Sequence, residues 1–154
     1  MNDAIRWRRD AASAEQVADL LRRCDAGFVP PLSTRVELTA YAHKLVAHAR
    51  RLEAWCGAGP VALLAMYCND MAGRTAFITS MSVAPEYTRR GIASMLVGMA
   101  ATDARAAGMQ RIALEVDKEN GPARQLYHKH GFRPTTSDGR TIRMSMELDE
   151  KGTR

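Results

Sequence analysis

The residues with the clearest chemistry form one stretch, Thr88-Arg89-Arg90-Gly91-Ile92-Ala93-Ser94, which follows an apolar run and opens an amphipathic one. A helix start leaves its first N–H groups without intrahelical partners and carries partial positive charge, so backbone amides around Arg89, Arg90 and Gly91 can bind an anion. Gly91 and Ala93 let that backbone approach a ligand closely. The expected ligand is a phosphate-bearing cofactor. Other reactive side chains fall into no such pattern. Thr79, Ser80 and Ser82 lack a His/Asp arrangement and read as strand residues or pocket lining. His43, His48, His128 and His130 have neither metalloprotease spacing nor cysteine ligands nearby, so surface histidines are expected and no metal site. Cys24, Cys56 and Cys68 are odd in number and outside any CxxC spacing, which indicates neither a disulfide framework nor zinc.

The elements that must position this stretch follow from periodicity. Residues 4–7 suit a first strand, and Ser13 with Gln16 forms a capping-box pattern ahead of Val17, Leu20 and Leu21 at helical spacing, a helix ending near residues 24–27. After Pro30-Pro31, Ser33 or Thr34 can cap a second helix over residues 36–47. Residues 51–56, 61–67 and 75–83 alternate or run apolar between Gly, Pro and Asn-Asp turns and form an antiparallel meander. Ile92, Met95, Leu96 and Met99 mark a helix that stops near Gly108, and residues 111–116 form a strand. Strand, helix and strand in that order imply a crossover with two parallel strands in one sheet. A short helix over residues 122–130, stopped by Gly131, and a strand alternating Ile142, Met144, Met146 and Leu148 complete the chain, with Phe132-Arg133 starting the hairpin partner. Residues 149–154 read as a flexible tail.

Composition bounds the rest. The 154 residues, 46% hydrophobic and 25% charged, fit a single globular domain spanning residues 1–154. A net charge of +5 favours an anionic partner, but no basic run is interleaved with aromatics, so nucleic-acid binding is not expected. The longest apolar run, residues 61–68, is too short to span a bilayer, and no apolar signal core follows the start. A cytoplasmic protein without a membrane partner, monomeric or homodimeric, is expected.

VAPEYTRRGIASMLV followed by LEVDKENGPARQLYHKHGF resembles the GNAT family of acyl-CoA-dependent N-acetyltransferases, over residues 76–132. The resemblance implies an α/β, or α+β, single domain with a mixed sheet, in which the antiparallel meander joins a βαβ crossover whose parallel strands splay apart to hold pantetheine. It implies acetyl-CoA as cofactor, bound by Met81, Ser82 and Val83 on the first parallel strand, by Thr88, Arg89, Arg90, Gly91, Ile92, Ala93 and Ser94 at the pyrophosphate turn, and by Asn120 and Ala123. Thr88 departs from the family pattern, which usually has Gln or Arg there. Because phosphate binding at a helix start is mainly a backbone effect, the departure weakens the match without abolishing binding.

By the same resemblance Tyr127 is the tyrosine that protonates the departing thiolate, and its neutral phenol suits that role. An amine must lose a proton before it attacks. Glu115 is the leading base, because strand alternation sets Ala113, Glu115 and Asp117 apart from Ile112, Leu114 and Val116 and lets Glu115 face the cleft. Asp117, Glu86 or a water chain are the alternatives. Phe28, Leu32, Arg35 and Tyr41 fall where the family shapes its acceptor pocket. The function implied is direct transfer of an acetyl group to a primary amine of a small molecule. The alternatives are a protein or peptide amine, or a non-catalytic acyl-CoA-binding regulatory module.

Overall fold

The computed structural model describes residues 4–148; the expected tail at 149–154 lies outside them. Seven strands form one mixed sheet: β1 (Arg6–Arg9), β2 (Arg50–Cys56), β3 (Gly59–Tyr67), β4 (Thr75–Val83), β5 (Arg111–Asp117), β6 (Arg133–Asp138) and β7 (Thr141–Glu147), in the order β1-β2-β3-β4-β5-β7-β6. Only β4 and β5 are parallel neighbours. Four α-helices connect them: α1 (Ala14–Cys24), α2 (Leu38–His48), α3 (Ile92–Ala106) and α4 (Gly121–Lys129). None of the described helices is long and apolar enough to cross a membrane.

The helices start where local chemistry satisfies their first amides. Ser13 and Gln16 form the expected capping box on α1. Helix α2 starts two residues later than expected and is capped by Glu37, whose carboxylate accepts from the Thr39 and Ala40 N–H groups at 3.0 Å each. Ser33 and Thr34 belong instead to a 3-10 turn, Leu32–Thr34. Asp25 holds that turn by accepting from the Ser33 N–H at 2.8 Å and hydroxyl at 2.7 Å. Strand β1 also lies two residues beyond its expected position, because pairing with β2, Arg6 to Trp55 through Arg9 to Leu52, sets its limits.

The core runs through the centre of the sheet. Every residue of β3 between its two ends is buried, as both α1 and α3 pack on this strand. A charged pair is built into the same core. Glu53 is fully buried and accepts from the Ala11 and Ala12 N–H groups, the Trp55 indole at 2.8 Å and Arg51 Nε at 3.3 Å. Arg51, 4% exposed, also donates to the carbonyls of Val46 and Ala12. Each charge thus has several partners, as a buried ion pair requires. The pair's partners come from β1's exit loop, β2 and α2, elements distant in sequence.

Candidate active site

The cleft begins where β4 and β5 part. They pair only from Thr75 opposite Arg111 to Ile78 opposite Leu114, although β4 continues to Val83 and β5 to Asp117. At the same point β4 carries a bulge against β3. Its pairing steps from Ile78–Met66 to Ser80–Ala65, which leaves Thr79 without an opposite residue. Beyond the bulge β4 stays bound to β3, up to Val83 opposite Ala62. Its other edge, residues 79–83, has no ladder to β5, and the separated strands open a cavity of about 540 Å³.

Alternation along β4 and β5 distributes the lining. Phe77 shares a face with Glu115 and Asp117, and Ile78 shares the other with Leu114 and Val116; the bulge then shifts the alternation of β4, and Thr79, Ser80 and Met81 line the cavity as well. Tyr127 enters the cavity from α4, 6% exposed, with its ring edge-on to Phe132 at 5.6 Å between centroids. Burial pushes its phenol up to about 12, so Tyr127 is neutral across the physiological range and has a proton to donate. Asn120 and Ala123 lie on the same wall. Asn120 is also the N-cap of α4, its Oδ1 accepting from the Ala123 N–H at 3.3 Å.

Two carboxylates face this cavity, and they are held differently. Asp117 has a side chain only 8% exposed, receives Arg140 at 3.1 Å on one oxygen and accepts from the Glu119 N–H at 2.8 Å on the other. Glu115 has a 55% exposed side chain, and its one ion pair among the described residues is a loose 4.0 Å contact with Arg143, its cross-strand neighbour on β7. Glu115 is therefore the more exposed and the more loosely paired of the two. Glu86, the other alternative, lies in a separate groove with Arg23, at 3.2 Å, and does not line the cavity that holds Tyr127.

The phosphate turn follows a 3-10 turn at Pro85–Tyr87. Gly91 is the N-cap of α3 with φ of 79°, and no side chain caps the helix, so the backbone alone presents its first amides. Arg89 also adopts a left-handed φ of 64°, and successive amides in such a turn converge on an anion. What Gly91 supplies is this backbone conformation more than space, since a Cβ there would meet nothing within 4 Å. Arg90 lies over the Tyr87 ring at 4.8 Å, and the Thr88 hydroxyl donates to the Pro85 carbonyl at 2.9 Å. Thr88 thus shapes the turn.

Other expected contact residues have mixed placements. Ile92 is 4% exposed and anchors α3 in the core, and Ser82, 2% exposed, keeps a buried hydroxyl without a hydrogen-bond partner. Ser94 Oγ is hydrogen-bonded to His130 Nε2 at 2.7 Å. That contact corrects the expectation of four surface histidines. His43, His48 and His128 are exposed, but His130 is half-buried, and burial, with the Lys129 charge second, pulls its imidazole below the ordinary value. Nothing in the local sequence signals the pair, whose members lie 36 positions apart.

Phe28, Leu32, Arg35 and Tyr41, from the α1–α2 connection and α2, all reach the mouth of the same cavity. Tyr41 Oη donates to the Thr79 carbonyl at 3.2 Å, tying α2 to the bulge. Leu32 is 5% exposed and mostly a core anchor. Residues the sequence did not single out are Phe77, Arg140 and Arg143. Arg143 stacks over Phe77 at 5.5 Å, a contact made across the sheet.

The donors suit an extended nucleotide thioester, with uncapped amides and arginines at the start of α3 and, between β4 and β5, a cleft lined by apolar side chains and by the phenols of Tyr127 and Tyr41. Comparisons agree. The acetyltransferase (GNAT) family model matches residues 14–132, more than half of the chain. The GCN5-related N-acetyltransferase 6, chloroplastic, of Arabidopsis thaliana is 34% identical over an aligned length of 71, with 44% of this chain and 25% of that relative covered. The chain thus spans about a quarter of the length of this curated relative. Among solved structures, a GNAT-family protein from Desulfovibrio desulfuricans superposes with a TM-score of 0.79 at 18% identity, covering 95% of this chain and 100% of the other. PaiA N-acetyltransferase from Thermoplasma acidophilum, solved in complex with coenzyme A, gives 0.74 at 16% identity, covering 94% and 99%. The fold, with its mixed seven-stranded sheet and parted parallel strands, is the GNAT fold, and the chain belongs to the GNAT acetyltransferase family.

Proposed function

We propose that this protein transfers an acetyl group from acetyl-CoA directly to a primary amine of a small molecule. The observation that carries the reading is that β4 leaves β5 after Ile78 and Leu114, opening a cavity that meets both Tyr127 and the loosely paired carboxylate Glu115. Bound acetyl-CoA supplies an activated thioester, whose C–S bond breaks as the amine nitrogen bonds the acetyl carbon.

The chain's residues do the rest. Amides at 89–94 and the arginines hold the pyrophosphate. The unpaired edge of β4, residues 79–83, offers main-chain groups to the pantetheine arm and to the thioester carbonyl, where a donor stabilises developing negative charge. Glu115 removes the proton of the attacking amine and, being exposed, passes it to water. Tyr127 donates to the sulfur. Its phenol is weakly acidic, but the same dry surroundings that raise it also raise a thiol placed beside it, which keeps the transfer in reach. Holding both partners in one cleft contributes most, up to roughly 7–11 kcal/mol in favourable models.

Release of free CoA thiol from acetyl-CoA across a panel of small primary amines tests the reading. Amine-dependent release is expected. Tight acetyl-CoA binding with no release on any amine would favour a non-catalytic acyl-CoA-binding module instead.

A further inference from the structure

The acceptor end of the cavity has an uneven charge balance. Its carboxylates are Asp117, closed onto Arg140 at 3.1 Å, and Glu115, 4.0 Å from Arg143. Arg35 also lines the cavity and, among the described residues, has no carboxylate within ion-pair distance. Of the two acids of the same connection, Asp25 is committed to Ser33 through both oxygens, and Glu37 to the Thr39 and Ala40 N–H groups at the start of α2. The segment before Arg35 is accordingly fixed, and the Arg35 N–H closes the turn by donating to the Leu32 carbonyl at 2.9 Å. An exposed guanidinium is thereby presented on an anchored turn beside the apolar surfaces of Phe28, Val36 and Phe77.

We infer that the acceptor amine also carries a carboxylate, taken by Arg35, and an apolar side chain that packs on Phe28, Val36 and Phe77: a free amino acid of the leucine or phenylalanine type. This rests on the transfer reading above. A guanidinium offers a planar pair of N–H donors that matches a carboxylate. One uncompensated cation balances one carboxylate, whereas a phosphate would call for more. A polyamine would bring its second ammonium among Arg35, Arg140 and Arg143, with no uncommitted carboxylate to receive it once Glu115 acts on the first amine. A peptide N-terminus lacks the carboxylate at that position.

The test compares leucine and phenylalanine with leucinamide and phenylalaninamide, with isopentylamine and phenethylamine, and with putrescine, by thiol release. The free acids are expected to show kcat/KM about tenfold or more above the matched amides and amines, the usual scale of a hydrogen-bonded charge pair. Arg35→Ala is expected to raise KM for the acids by a similar factor and to change it far less for the amides and amines, and Arg35→Lys to restore part of the loss, keeping charge without the planar fork. Thermal midpoints of both variants check folding. Equal kcat/KM for acid and amide, a preference for putrescine, or an Arg35→Ala loss shared equally by acids and amines would overturn the inference. Titration of the CoA-loaded protein with N-acetylleucine and N-acetylisopentylamine reads the same preference without turnover. Should no amine release thiol, Arg35-dependent binding of N-acetylleucine would support this inference while the transfer reading fell; absence of that binding preference would overturn this inference too.

Discussion

Ile78 and Leu114 are the last partners in the β4–β5 ladder, and the next residue of β4, Thr79, is the bulge against β3. One extra residue on β4 bends it away from β5 while β3 holds it in the sheet. The cleft is therefore built into the register of the strands, with Tyr41 bonded to the Thr79 carbonyl as a brace. The proposed chemistry uses this opening, and the following outcomes test its parts.

Tyr127→Phe keeps the ring contact with Phe132 and removes only the hydroxyl. Turnover with a good acceptor is expected to fall by about 100-fold or more, with acetyl-CoA affinity nearly unchanged. Steady-state kinetics and a separate cofactor titration distinguish the two, and unchanged kcat would remove Tyr127 from proton transfer.

The same phenol makes stability fall at high pH. Its folded value of about 12 lies above the ordinary 10, so the stabilisation is complete below pH 10 and is lost as pH rises through 12. Cys24, pushed up to about 11 by burial from 9, adds a loss between those values. Two units correspond to about 3 kcal/mol for the buried tyrosine. Thermal midpoints across this alkaline range should decline less steeply in Tyr127→Phe than in the parent; parallel curves would contradict the assignment.

At the acid end His130 works in the opposite direction. Its folded value is lowered, chiefly by burial, so its contribution is present above the ordinary 6.5 and is lost as pH falls through the folded value. His130→Gln, which retains a hydrogen-bonding partner for Ser94, is expected to flatten the decline in stability just below that pH. Chemical denaturation at a series of pH values reads this, and an unchanged slope would count against it.

Gly91→Ala tests the phosphate turn. The added Cβ meets nothing, so the cost is conformational, about 1 kcal/mol at a φ of 79°. Either the strain is absorbed and CoA binding survives, or the turn relaxes from its left-handed form and scatters its amides. We expect the second, with CoA affinity reduced by about tenfold in a folded variant, measured by calorimetry. Full affinity would show that the turn absorbs the strain and keeps its left-handed form with alanine in place.

Glu53→Ala removes the acceptor for two backbone amides, an indole and Arg51. Breaking one side of a buried pair leaves the other charge uncompensated, so a loss of about 3–5 kcal/mol in urea unfolding is expected. A loss below about 1 kcal/mol would mean that water replaces the carboxylate.

What the sequence determined by itself was whatever depends on neighbours within a few positions. The capping box of Ser13 and Gln16, the helix opening at Gly91 and the alternation that sets Glu115 apart from Leu114 are local, and each appears in the fold. The order strand, helix, strand implied the crossover, which the parallel pairing of β4 and β5 bears out, and resemblance added the cofactor class, which the family match and a coenzyme A complex of the same fold bear out. The cap of α2 was misplaced because Ser33 and Thr34 are good capping types, yet Asp25 draws Ser33 into a different turn. The buried Glu53, the Ser94–His130 bond and the release of Glu115 from a tight pair, with Asp117 locked to Arg140, join residues far apart in the chain. Only the tertiary structure decided these. A carboxylate or imidazole has the same local pattern whether water or a distant arginine meets it, and burial and partner together set its charge and its availability.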